Sequence, residues 1–189
     1  MKGNAQYYQT IQTKLTEIAP DLQGANAYRY SRQVSWGLQE FVEAISFQHY
    51  LESQTLITYD EAQAKVNMGV APHNIILPVD DYLLGIFDMV GEVMRFAITA
   101  MATGGKLPGT DGRNVLADLR ELRVCLTGLE ADKGTWLASD MAKKMPVMVE
   151  CVEKIEKALY GLTVRGAERP KGWMPDTDDP RRHDEVEGS

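Results

Sequence analysis

Cysteine is nearly missing from this chain of 189 residues, with only Cys125 and Cys151 present. Two thiols cannot build a disulfide framework. Each lies in an apolar helical pattern, LRVCLTGL and VMVECVEKI, so both are expected to be reduced core thiols of an intracellular protein. Histidine is as scarce, at three residues. No serine or cysteine nucleophile has a credible histidine partner, and His49 and His73 read as structural or surface residues. Long hydrophobic runs are absent too. The most apolar stretch, around residues 82–101, is broken by Asp88, Glu92 and Arg95, which excludes a membrane span and suits a buried bundle helix. The opening MKGNAQYYQTIQ is polar and carries no signal peptide.

Positive charge is in deficit. Twenty Lys and Arg face 27 Asp and Glu, a net charge of −7, which argues against a simple binder of a polyanion. An RNA ligand would need a metal, a local basic strip or a more basic partner subunit. Part of the negative charge sits in the acidic segment of residues 174–189, expected to be a solvated tail beyond a single domain of residues 1–173. Alternating β-branched runs are too short for a sheet, although LITY and NIILPV suit brief extended pieces. Gly104 and Gly105 lack the preceding strand and the Lys-Ser/Thr of a phosphate loop, so they mark a helix end.

What remains is helix. Apolar residues at helical spacing predict a first helix over Ala5 to Ile18, closed by Pro20, and a long one from about Ala25 to Glu52. Thr58 and Glu61 have capping-box spacing, which starts a short helix at Tyr59 that ends near Gly69. Another long helix follows Pro78 and stops at Gly104 and Gly105, with Gly85 and Gly91 expected to permit close packing. Two more cover about Gly112 to Leu129 and Thr135 to Thr163; the last repeats Met148, Val152, Ile155, Leu159 and Leu162, with Pro146 expected to kink or interrupt it. The chain reads as an all-α antiparallel bundle of about six helices.

Inside the two most apolar segments stand four carboxylates, Glu40 and Glu43 in LQEFVEAISF and Asp88 and Glu92 in DYLLGIFDMVGEVMRFAI. Unpaired buried charge costs several kcal/mol, so such acids need a proton, a base or a cation. Arg95 is the one base nearby in sequence. Each pair is three or four residues apart and shares a helix face, so two packed helices can bring four oxygen ligands together for Mg²⁺ or Mn²⁺. A di-iron site would want Glu-x-x-His, and Glu40 is followed by Glu43 instead. On the residues alone a second reading stays open, in which Arg95 bridges Asp88 and Glu92 while Glu40 and Glu43 face solvent between subunits.

The segments LQEFVEAISFQHYLESQTLITYDEA (38–62), PVDDYLLGIFDMVGEVMRFAI (78–98) and ALYGLTVRGAERPKG (158–172) resemble the translin family, on its translin-associated factor X branch, over about residues 5–173 in helix order. The resemblance implies an all-helical, Mg²⁺- or Mn²⁺-dependent endoribonuclease subunit, found in cytoplasm and nucleus. With translin it forms a hetero-octameric shell that cleaves single-stranded RNA, removing passenger strands in RNA silencing and trimming tRNA fragments. Its catalytic acids map onto Glu40, Glu43 and Asp88, with Glu92 as a further metal ligand. Translin itself carries non-acidic residues where Glu40 and Glu43 stand. From the residues themselves, Arg95 is expected to orient the acids or stabilise the phosphate of the RNA, and Arg29 and Arg32 either to contact the RNA backbone or to form a solvated basic surface. The rival expectation is a non-catalytic scaffold that completes a translin-type shell. Family members carry another long helix ahead of the region matching residues 5–18, so Met1 is expected to begin a truncated or unusually short member.

Overall fold

A computed structural model describes residues 4–110 and 112–165. Seven helices are found among these residues: α1 (Asn4–Ile18), α2 (Ala25–Arg29), α3 (Ser31–Ser53), α4 (Tyr59–Val66), α5 (Val79–Gly104), α6 (Val115–Thr127) and α7 (Trp136–Arg165). The all-α expectation holds. The segment 166–172 and the acidic tail of residues 174–189 lie outside the described residues.

Local chemistry sets most of the boundaries. The Thr58 hydroxyl accepts from the Glu61 amide while the Glu61 carboxylate accepts from the Thr58 amide, closing the capping box that starts α4. Gly105 takes a left-handed conformation, φ 67°, and its amide returns to the Met101 carbonyl to end α5. The long helix expected from Ala25 is divided at Tyr30, where the Ser31 hydroxyl donates to the Tyr28 carbonyl. A serine at that place offers the backbone a competing partner, and the chain turns there. The helix expected from Gly112 starts instead at Val115. The residues before it pair as two-residue strands, β1 (Gly109–Thr110) and β2 (Arg113–Asn114), and the Asn114 side chain caps α6 by accepting from the Ala117 amide. LITY and NIILPV form no strand. Pro146 does not interrupt α7, which continues through it to Arg165. A proline there costs one backbone hydrogen bond, and the buried row of Met148, Val152 and Ile155 holds the helix against the core.

Two core clusters meet on α5. Leu84, Met89, Val93 and Ala97 pack with Leu116, Leu119, Met148, Val152 and Ile155, while Ile86 joins Leu38, Val42, Ile45, Ile57, Val66 and Leu77. Being covered on two sides explains why α5 is the most apolar helix of the chain. Gly85 lets α3 approach: a Cβ there would lie 2.7 Å from Val42 Cβ and 2.9 Å from the Gln39 carbonyl oxygen. Gly91 plays no such part, since a Cβ there would meet nothing within 4 Å.

Contacts climb in step along the long helices. Gln39 donates to Asp81, Val42 faces Gly85 and Phe47 meets Phe96 edge to face at 6.4 Å, so α3 and α5 run parallel. Trp136 and Asp80 line one cavity and Lys144 reaches Asp88, so α7 runs the same way. Antiparallel order holds between α6 and α7, where Arg120 pairs with Glu156 and the Thr127 hydroxyl meets the Met145 sulfur. The connectors explain this mixture, because residues 54–78 and 105–135 each return the chain to its starting end and carry a short helix on the way. No helix among the described residues is long and apolar enough to cross a membrane.

Candidate active site

Parallel packing of α3 on α5 decides where the acids go. Glu43 lies one residue beyond Val42, the side chain that seats Gly85, and Asp88 lies three residues beyond Gly85. Both carboxylates are half-buried along this seam. Burial is the first reason the Glu43 carboxyl is pushed up to about 6, and the neighbouring charges of Asp88, Glu40 and Glu92 push it further in the same direction. The four acids singled out from sequence therefore share one electrostatic neighbourhood, with Glu43 at its centre. Glu40, at the outer edge, is exposed and accepts from the Trp36 indole at 3.1 Å.

The opposing charge comes from a residue that sequence reading passed over. Lys144 of α7 donates to both oxygens of Asp88, 2.5 Å to Oδ2, and also lowers the cost of ionising Glu43. Its signal was in the sequence: Lys144 stands three residues after Met141 and four before Met148, inside the inward row of α7. A lysine in an apolar row buries its stem and carries its ammonium to an acid. Arg95 does not bridge the α5 acids as the second reading had it. It pairs with Glu92 alone, one turn away on the same helix.

The other residues expected at the site lie elsewhere. Arg29 is exposed on α2, its guanidinium 5.9 Å from the centre of the Tyr30 ring, so the break at Tyr30 takes it off the Glu40 helix. Arg32, in the first turn of α3, lines a cavity of about 260 Å³ with Tyr28, Asp80, Asp81 and Trp136. Eight residues of helix, roughly 12 Å, separate Arg32 from Glu40. Asp81, on the Asp88 stripe in sequence, has its own network. It is buried and accepts from Ser35 at 2.5 Å and Gln39 at 2.8 Å; burial pushes its carboxyl up and these hydrogen bonds pull it back. His49 sits against the Thr55 hydroxyl at 3.0 Å, away from the acids. Cys125 is exposed, against the expected core position, and Cys151 is buried as expected.

The residues suit a hard divalent cation in their donors, which are all carboxylate oxygens, and in the repulsion around Glu43, which Lys144 offsets only in part. They do not yet form a coordination sphere. Among the described residues no three such side chains converge on a point, and Asp88 is held by an ammonium. The seam thus brings four carboxylates into one neighbourhood, with Lys144 paired to Asp88 and Arg95 to Glu92.

Residues 1–166 match the family model described as the translin family. This chain belongs to the translin family. Translin-associated protein X of Mus musculus is 30% identical over 186 residues, covering 88% of this chain and 61% of that protein. The homolog of translin-associated protein X in Schizosaccharomyces pombe is 30% identical over 159 residues, 84% of this chain and 63% of its own. Translin of Bos taurus is 26% identical over 168 residues, 85% and 68% of the two chains. This translin-family chain spans about three fifths of the length of the translin-associated protein X relatives it matches.

Proposed function

We propose that this chain is the catalytic subunit of a translin-type complex, a Mg²⁺- or Mn²⁺-dependent endoribonuclease acting on single-stranded RNA. The observation that carries the reading is the charge state of the α3/α5 seam. Half-burial first, and then the charges of Asp88, Glu40 and Glu92, raise the cost of ionising Glu43, and Lys144 answers only part of it. The likeness to translin-associated protein X and to translin supports translin as the partner, with which this chain would assemble into a shell. Passenger-strand removal in RNA silencing and trimming of tRNA fragments, in cytoplasm and nucleus, are the roles that reading assigns.

In this proposal Glu40, Glu43, Asp88 and Glu92 hold the cation directly or through water. When bound, a divalent ion polarises a phosphate and acidifies a water. The protein's own part is to hold the acids on two helices locked by the Gly85 and Val42 contact, so their spacing is fixed before substrate arrives. Arg95 fixes Glu92. Arg29 and Arg32, exposed near the start of α3, would meet RNA backbone beyond the reacting phosphate.

The test is cleavage of a labelled single-stranded RNA by the complex with translin in Mg²⁺. Glu43→Gln and Asp88→Asn should each abolish cutting while the complex still assembles. Normal cutting by either variant would support the other reading, a scaffold subunit without chemistry; that reading has in its favour that the acids do not converge in the lysine-neutralised state.

A further inference from the structure

We infer that Lys144 is a resident counter-ion that a divalent cation must displace, so that Asp88 exchanges an ammonium for a metal when the site is loaded. The inference rests on the metal reading of the α3/α5 seam and adds a residue to it from a third helix.

The geometry is direct. The Lys144 ammonium donates to both oxygens of Asp88, so neither oxygen is left with its full lone-pair capacity for a cation. A divalent ion brought onto the same carboxylate would repel the Lys144 ammonium, so the two compete for Asp88. The contact spans 56 positions of sequence and ties α7 to α5. It is not a pairing that any helix would make by itself.

Lys144 is equipped to leave. Its side chain remains 27% exposed and that of Asp88 34%, so the ammonium has water to return to and the carboxylate has a face open to an incoming ion. A lysine fully enclosed in the α5/α7 interface could not be exchanged without unfolding its surroundings. Without the lysine, four acids would stand with only Arg95 at their edge, and the metal-free chain would carry the whole repulsion. Lys144 therefore offsets part of the repulsion among the acids in the metal-free chain and competes with an incoming cation for Asp88.

Lys144 is a positioning residue in this account, and the sign of its effect distinguishes it from a structural prop. Mn²⁺ binding to the full-length chain is followed by calorimetry and by loss of the free-ion paramagnetic resonance signal, with no RNA present. Lys144→Met and Lys144→Gln should bind Mn²⁺ about tenfold more tightly than the wild type, the order expected for removing one half-exposed charge pair. Lys144→Arg, which keeps the charge, should bind like the wild type. Unchanged or weaker Mn²⁺ binding by the Met and Gln variants would overturn the exchange. Asp88→Asn separates the two levels of argument. If wild type, Lys144→Met and Asp88→Asn all bind Mn²⁺ with the same weak affinity, no metal site exists at the seam, and the exchange falls together with the metal reading.

Discussion

Glu43 costs the fold something whenever it is ionised. Below pH 4.5 the carboxyl is protonated in the folded and unfolded chain alike, so no penalty exists. Its raised value means that the penalty grows between pH 4.5 and about 6 and is complete above that. The shift corresponds to at most about 2 kcal/mol, and partial exposure should leave about 1 kcal/mol measurable. Glu43→Gln should therefore stabilise the metal-free chain by about that amount at pH 7.5 and by nothing at pH 4. Urea titrations in EDTA at the two pH values check it; an equal gain at both would trace the effect to packing. Finding this residue from sequence was straightforward, because an acid in an apolar helical row is conspicuous. Lys144 was harder, since neighbouring Lys143 is an ordinary surface lysine paired with Asp140, and only the row shared with Met141 and Met148 tells the two apart.

Helices α3 and α5 meet through Gly85, and the same pair carries the acids. Gly85→Ala would drive a methyl into Val42 and the Gln39 carbonyl, which should destabilise the chain by about 1–3 kcal/mol. Gly91→Ala is the control on the same helix. With nothing within 4 Å it should stabilise by roughly 0.5–1 kcal/mol through helix propensity alone. Thermal or urea unfolding of the two variants would settle the difference; the same sign for both would mean that Gly85 is not a spacer. Elements of this kind were legible where one local rule decides them, as at the Thr58 capping box and the Gly105 stop. The break at Tyr30 was not, because Arg29 and Trp36 keep helical spacing across it and the turn is made by a Ser31 hydroxyl. Helix direction was not legible either. Periodicity says which face is buried and nothing of which way a neighbour runs.

At the scale of the molecule, a net charge of −7 sets the terms for any RNA partner. Among the described residues Arg29 and Arg32 stand apart from the acids, on α2 and in the first turn of α3. The isolated chain should bind single-stranded RNA weakly, and addition of translin should increase both binding and turnover at fixed salt and Mg²⁺. Equal binding and turnover without translin would remove the partner from the account and leave the acids in place.

The parallel run of α3, α5 and α7 has a kinetic meaning. Neighbours that point the same way cannot be joined by a tight turn, so the chain must close the segment 54–78 to bring α5 onto α3, and 105–135 to bring α7 onto α5. Contacts across these closures include Phe47 with Phe96, Tyr50 with Asp118 and, at the acids, Lys144 with Asp88. Such non-local pairings slow folding relative to an up-and-down bundle of the same size. On the ribosome, α3 and α5 emerge first, and their clustered acids wait for α7. Lys144 is made only with α7, so in the growing chain Asp88 is synthesised 56 positions before the ammonium that pairs with it.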